Sequence, residues 1–172
     1  IALSVVEELQ QYYPVSFSKI RKSFRNVDWP GRIEIYNKEP LIILDGAHNI
    51  ESMEMLVDFL KRSVSNFRDI KYIISIFRDK DIEGILDILN FRNDNLHFFV
   101  SKNSSSRAQD PAIIKNTAAE KSINVETYLN LKSAVREVLK RSKPSDVICI
   151  TGSLTTAADA GKILKNIDLK NM

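Results

Sequence analysis

Leu41-Ile42-Ile43-Leu44-Asp45-Gly46-Ala47-His48-Asn49 decides the architecture of this chain. Four consecutive apolar residues read as a strand buried on both faces. Asp45 ends the run, and Gly46 to Asn49 form a tight polar loop. From Ile50 to Ser63, Met53, Leu56, Val57 and Leu60 recur at helical spacing. A buried strand that turns straight into an amphipathic helix is the first half of a β-α-β unit.

The same rhythm repeats downstream. Tyr72–Ile76 predicts a second buried strand, then a polar loop, Arg78-Asp79-Lys80-Asp81. Asp81 caps a helix carried by Ile82, Ile85, Leu86 and Leu89. Leu96–Val100 predicts a strand, followed by a polar loop over 101–109 that holds Lys102 and Arg107. Asp110-Pro111 opens a helix in the cap-then-proline order. Val125 marks a short strand. Leu131, Ala134, Val135, Val138 and Leu139 form a helix, Val147–Ile150 a strand, and Ala160, Ile163, Leu164 and Ile167 the last helix. Upstream, Ile33 and Ile35 alternate with polar residues in a half-buried strand over 32–36. Only the turn Lys38-Glu39-Pro40 separates it from Leu41. That is too short for a parallel crossover, so this pair is antiparallel. The expected fold is α/β with three layers: a six-stranded, mostly parallel sheet with one antiparallel strand, and helices on both faces.

Ahead of Val27-Asp28-Trp29-Pro30-Gly31 the pattern differs. Two short helices are expected, over Ala2 to Gln11 and Ser18 to Phe24, and Pro and Gly then break regular structure. A boundary is placed here, dividing the chain into 1–28 and 29–172. The chain opens on Ile1, inside an apolar-periodic segment, as a piece cut from a longer protein would.

Composition narrows the class. The chain has 172 residues, 44% hydrophobic and 27% charged, enough apolar material for a core without disulfides or metals. No apolar run approaches the roughly 18 residues of a membrane span, and no secretory signal opens the chain. A cytoplasmic protein with no membrane partner is expected. Lys and Arg total 25 against 22 Asp and Glu, interspersed, so nothing calls for nucleic acid. One cysteine and two histidines exclude a disulfide framework and a Cys/His metal cluster. Cys149, between Ile148 and Ile150, reads as inert core, and His97, beside Phe98 and Phe99, as a structural histidine.

In open α/β sheets ligands bind at the carboxyl ends of the parallel strands. Four loops qualify: 45–49, 77–81, 101–109 and 151–154. In the first, Asp45 suits ribose hydroxyls, His48 suits a nucleotide, and Gly46 allows close backbone approach. Asp45 and Asn49 equally suit plain helix capping. Asp79-Lys80-Asp81 reads as a charged site or as a solvated loop with a cap, and Arg107 as an anion ligand or a surface Arg. Thr151-Gly152-Ser153 reads as a helix-start anion site or a simple turn. There is no G-x-G-x-x-G, no G-x-x-x-x-G-K-[ST] and no G-x-S-x-G. Gly161-Lys162 is followed by Ile163 within a helical pattern.

Taken together, Trp29-Pro30-Gly31-Arg32, Asp45-Gly46-Ala47-His48-Asn49, Asp79-Lys80-Asp81, Arg107-Ala108 and Gly152-Ser153-Leu154 resemble the ordered motifs of the folylpolyglutamate synthase/dihydrofolate synthase family of the Mur ligase superfamily. The resemblance implies a Rossmann-like C-terminal domain over 29–172, with 1–28 the helical tail of a preceding ATPase domain. It implies ATP-dependent addition of L-glutamate to dihydropteroate or (tetrahydro)folate through an acyl phosphate, by a monomer that is inactive when only this fragment is present. Arg32 would be catalytic at the ATP phosphates, with Asp45 and His48 also binding ATP. Lys80, Arg107 and Ser153 would bind glutamate. Gly46, Asn49, Asp79, Asp81 and Gly152 would shape the loops. The cofactor would be ATP with Mg2+, the metal ligands lying in the preceding domain and none in this chain. Thr155 stands where the family often has an aromatic residue. Alternatives are another amide ligase of the superfamily, such as a peptidoglycan or cyanophycin type, and a non-catalytic α/β nucleotide-binding module.

Overall fold

The computed structural model describes residues 1–64, 69–92 and 94–169. The remaining residues of the expected 29–172 unit, 65–68, 93 and 170–172, lie outside the described residues. In chain order the elements are α1 (Ala2–Leu9), α2 (Phe17–Arg25), β1 (Glu34–Lys38), β2 (Leu41–Leu44), α3 (Ile50–Ser63), β3 (Ile70–Ile74), α4 (Ile82–Leu89), β4 (Leu96–Val100), α5 (Pro111–Glu120), β5 (Val125–Thr127), α6 (Leu131–Lys140), β6 (Val147–Thr151) and α7 (Leu154–Leu164).

The strands form one sheet in the order β1-β2-β6-β3-β4-β5. β1 runs antiparallel to β2, and the other neighbours are parallel. The expected mixed sheet is therefore present. The last strand made, β6, lies between β2 and β3, so the chain reverses its direction of travel across the sheet there. That switch opens a crevice at the carboxyl ends of the central strands.

Two apolar layers hold the sandwich. Met53, Leu56, Val57 and Leu60 of α3 join Ile85, Leu86 and Leu89 of α4 and Ile114 and Ala118 of α5 on one face. Val135, Val138 and Leu139 of α6 and Ala157, Ala160 and Leu164 of α7 cover the other. Each of these helices opens with a side-chain cap beside the crevice: Asn49, Asp81, Asp110, Asn130 and Ser153. Each cap contributes about 1 kcal/mol and holds the loop before it in register.

Three expectations shift. The β1 strand begins at Glu34, two residues late, because Gly31 and Ile33 adopt positive φ (73° and 47°) and turn the chain first. The β3 strand spans Ile70–Ile74, not 72–76. Ser75 and Ile76 stay buried just past the strand, Ser75 N donating to Thr151 O at the end of β6 at 3.2 Å and Ile76 O accepting from Gln109 N of the loop after β4 at 2.8 Å. His97 is half exposed at the start of β4, with Nε2 3.9 Å from Asp69 Oδ1, and is no core histidine. Cys149 is fully buried, and burial pushes its thiol pKa up, as inert core should. At the opposite end from the crevice, Lys71 pairs with the buried Asp146. Helices α1 and α2 contribute no buried residue. Among the described residues no helix is long and apolar enough to cross a membrane.

Candidate functional site

The crevice holds two groups of the expected residues, and a buried hydrogen-bond network around Ser153. The first is built on Asp45, only 5% exposed at the end of β2. Its Oδ1 accepts from Ala47 N at 2.8 Å and its Oδ2 from Ile33 N at 2.8 Å. The second bond clamps the Pro30–Ile33 turn against the sheet and holds Ile33 at its positive φ, a strained conformation for a β-branched residue. Gly46 N donates to Gly31 O at 2.7 Å and tightens the same clamp. Burial pushes the Asp45 carboxyl above its ordinary pKa. The two amides, Arg32 and His48 oppose that shift.

Arg32 is thereby presented at the surface beside Asp45, and its guanidinium makes no ion pair among the described residues. The His48 ring Nδ1 lies 2.9 Å from Gly46 O. A carbonyl only accepts, so Nδ1 carries a proton and donates, and in the neutral ring Nε2 is the acceptor. Asn49 and Ser52 form a reciprocal capping box at the start of α3.

The second group lies on the loops after β3 and β4. Arg107 donates to Asp79 Oδ1 at 2.8 Å and stacks over the Phe77 ring at 4.6 Å. Lys80 Nζ is 3.3 Å from Asp79 Oδ2. Asp79 thus holds both expected anion ligands, and the Arg107 guanidinium keeps its carboxyl down at about 2. The three groups together carry one net positive charge. Phe77 and Ala108 pair as an antiparallel bridge, so the two loops move as one unit. Asp81 caps α4 through Gly84 N at 2.9 Å.

Ser153, expected at the glutamate, is only 2% exposed. Its Oγ accepts from Thr156 N at 3.0 Å, lies 2.7 Å from Thr156 Oγ1, and accepts from Asn103 Nδ2 at 3.1 Å. The Gly152 amide is not open to an anion, because it donates to Ala47 O at 3.0 Å. Gly152 adopts a φ of 111°, and a Cβ there would lie 2.8 Å from the Ser75 carbonyl carbon.

Asn103 was not singled out by its sequence context, yet it ties the loop after β4 to Ser75 and to the start of α7. Its Nδ2 reaches Ser153 Oγ and Thr156 Oγ1 (3.0 Å), its Oδ1 accepts from Ser105 N (2.9 Å), and its amide donates to Ser75 Oγ (3.0 Å). Apart from the local bond to Ser105, the partners lie 28 to 53 residues away in sequence, so the local pattern does not mark its cross-fold role. The one legible trace is a hydroxyl residue, Thr156, three positions after the cap Ser153. Among the described residues no group of three or more His, Cys, Asp and Glu stands close enough to hold a metal ion.

Comparison with known proteins identifies relatives of this fold. The family model described as Mur ligase, glutamate ligase domain, matches residues 31–154. The dihydrofolate synthase/folylpolyglutamate synthase of Bacillus subtilis (strain 168) is 28% identical over 152 residues, covering 88% of this chain and 34% of its own length. A UDP-N-acetylmuramyl-tripeptide synthetase of Lactobacillus delbrueckii subsp. bulgaricus is 28% identical over 161 residues, covering 90% of this chain and 30% of its own. Among solved structures, the bifunctional folylpolyglutamate synthase/dihydrofolate synthase of Yersinia pestis, complexed with AMPPNP and a Mn ion, superimposes with a TM-score of 0.80 at 26% identity. It covers 95% of this chain and 38% of that one. The chain thus spans about a third of these relatives. With the matched region running from the clamped turn to the start of α7, the chain belongs to the Mur ligase glutamate ligase domain family.

Proposed function

We propose that this chain is the C-terminal part of a cytoplasmic ATP-dependent ligase that adds L-glutamate to dihydropteroate or a folate through an acyl phosphate. Residues 29–172 form the glutamate ligase domain, and 1–28 is the tail of a preceding ATPase domain. The observation that carries the reading is the Asp45 clamp, which presents an unpaired Arg32 beside His48 at the mouth of the crevice.

ATP, when bound, supplies the phosphoryl group that gives an inert carboxylate a leaving group. Arg32 stabilises the charge that develops on the phosphate oxygens. His48 Nε2 accepts a hydrogen bond from the nucleotide. Each Asp45 oxygen already accepts one backbone amide and keeps a lone pair for a ribose hydroxyl. The net positive charge of Lys80, Arg107 and Asp79 draws a glutamate carboxylate, while Ser153 sets the start of α7 against the same loop. Mg2+ would be held by the preceding ATPase domain.

The test is ADP release by the full-length protein given Mg-ATP, L-glutamate and dihydropteroate or tetrahydrofolate. Arg32→Ala is expected to lower kcat about 10²-fold with a smaller change in KM. The chain comprising residues 1–172 is expected to release no ADP above background. ADP release that ignores L-glutamate would sink the reading. The similarity to the tripeptide synthetase supports a second reading, a peptidoglycan-type ligase. A UDP-N-acetylmuramyl acceptor in the same assay separates the two.

A further inference from the structure

Cations without acidic partners gather where α6 and α7 cover the sheet. Lys132, Arg136 and Lys140 stand at i, i+4 and i+8 on α6 and share one stripe. Lys162 and Lys165 lie on α7 and just past its end. All five are exposed, and among the described residues none makes an ion pair. Two acids that line the same surface, Glu137 and Glu34, are engaged elsewhere. Glu137 accepts from Arg141 Nε at 2.7 Å, and Glu34 from the Gly31 amide at 2.8 Å.

Hollows join these cations into a track. One of about 260 Å³ begins at Pro30, Gly31 and Leu154, beside the turn that presents Arg32, and ends at Lys162 and Lys165. The next, about 290 Å³, shares Lys162 and reaches Lys132 and Arg136. A third, about 450 Å³, shares Lys132 and Arg136 and ends at Lys140. The shared lining makes the series continuous from the candidate site to the end of α6.

We propose that this track binds an oligoglutamate tail carried by the acceptor or the product. The inference rests on the ligase reading above. Charge complementarity selects the occupant: a flexible chain with one carboxylate per residue matches a line of separate cations. Each exposed cation contributes little alone, so useful affinity needs several at once. Lys132 to Lys140 alone spans about 12 Å along the helix. A single glutamate cannot bridge it, and affinity therefore rises with tail length.

The test is titration of this chain, without nucleotide, followed by amide NMR. Pentaglutamate is expected to shift the resonances of Lys132, Arg136, Lys140, Lys162 and Lys165, while the same concentration of L-glutamate leaves them in place. Raising the salt from about 0.05 M to about 0.5 M is expected to weaken pentaglutamate binding at least tenfold. Arg136→Glu with Lys162→Glu is expected to weaken it about tenfold, and Arg136→Lys with Lys162→Arg to preserve it. Both pairs sit on exposed helix positions, and unchanged circular dichroism verifies the fold. Equal affinity in the charge-reversed pair overturns the proposal, as does single-stranded DNA binding as tightly as pentaglutamate. Either outcome leaves the ADP-release assay, and the reading it tests, untouched.

Discussion

Gly152 and Gly46 look alike in sequence, each a glycine just past a buried strand, yet their surroundings predict different costs for one added methyl. At Gly152 the φ of 111° is foreign to L-residues, and the methyl would meet the Ser75 backbone. Gly152→Ala is expected to destabilise by about 2 kcal/mol or more in urea unfolding. At Gly46 the nearest obstacle is the Leu154 side chain, its Cγ 2.8 Å away, on a residue with a half-exposed side chain that can swing aside. Gly46→Ala is expected to cost about 1 kcal/mol or less. Asp79 makes a pH prediction. Its carboxyl is held at about 2 by Arg107, so the folded state favours the charged form. Its tie to Arg107 is fully present above the ordinary carboxylate range and is lost as pH falls through about 2. A carbon-detected NMR titration of Asp79 should show that midpoint, and Arg107→Ala should raise it toward the ordinary carboxylate range, with Lys80 still holding it partly down.

Elements differ in how openly the sequence declares them. Helix α3 was legible to the residue, because Asn49 caps it and Met53, Leu56, Val57 and Leu60 repeat on one face. Strand β2 was equally plain as an unbroken apolar run. The start of β1 was not, since nothing local announces that Ile33 takes a positive φ; a carboxylate twelve residues away holds it there. The motif residues of the candidate site were legible as types at strand ends, but their pairing was not. Arg107 read as an anion ligand or a surface Arg, and only the packing of two loops shows that Asp79 holds it. Asn103 is the extreme case, with most of its bonds made across the fold. Asn103→Ala is expected to cost about 1–3 kcal/mol, because it removes side-chain partners from Ser153, Thr156 and the Ser105 amide. Hydrogen exchange should then quicken over 101–109 and at the start of α7, and stay slow in β3.

At the scale of the molecule, the exposed side chains of Leu3, Val5, Leu9, Phe17, Phe24, Val27 and Trp29 show how little the leading helices give to the core. Removing residues 1–28 is expected to leave the thermal midpoint within about 2 °C, read by calorimetry, because no buried contact is lost. A larger drop would mean that these helices support the sheet. The place of β6 carries a different consequence, one of timing. Among the described residues its edges alone join β2 to β3 in the sheet, so the early and late strands stay separate until it inserts. During synthesis at roughly 5–20 residues per second, β2 waits roughly 5–20 s for its parallel neighbour to be made. Through that interval two apolar strand edges stand open on the ribosome. The nascent chain is then most exposed to mispairing and most in need of a chaperone, and a stop codon just before Val147 would release two halves of a sheet with nothing between them.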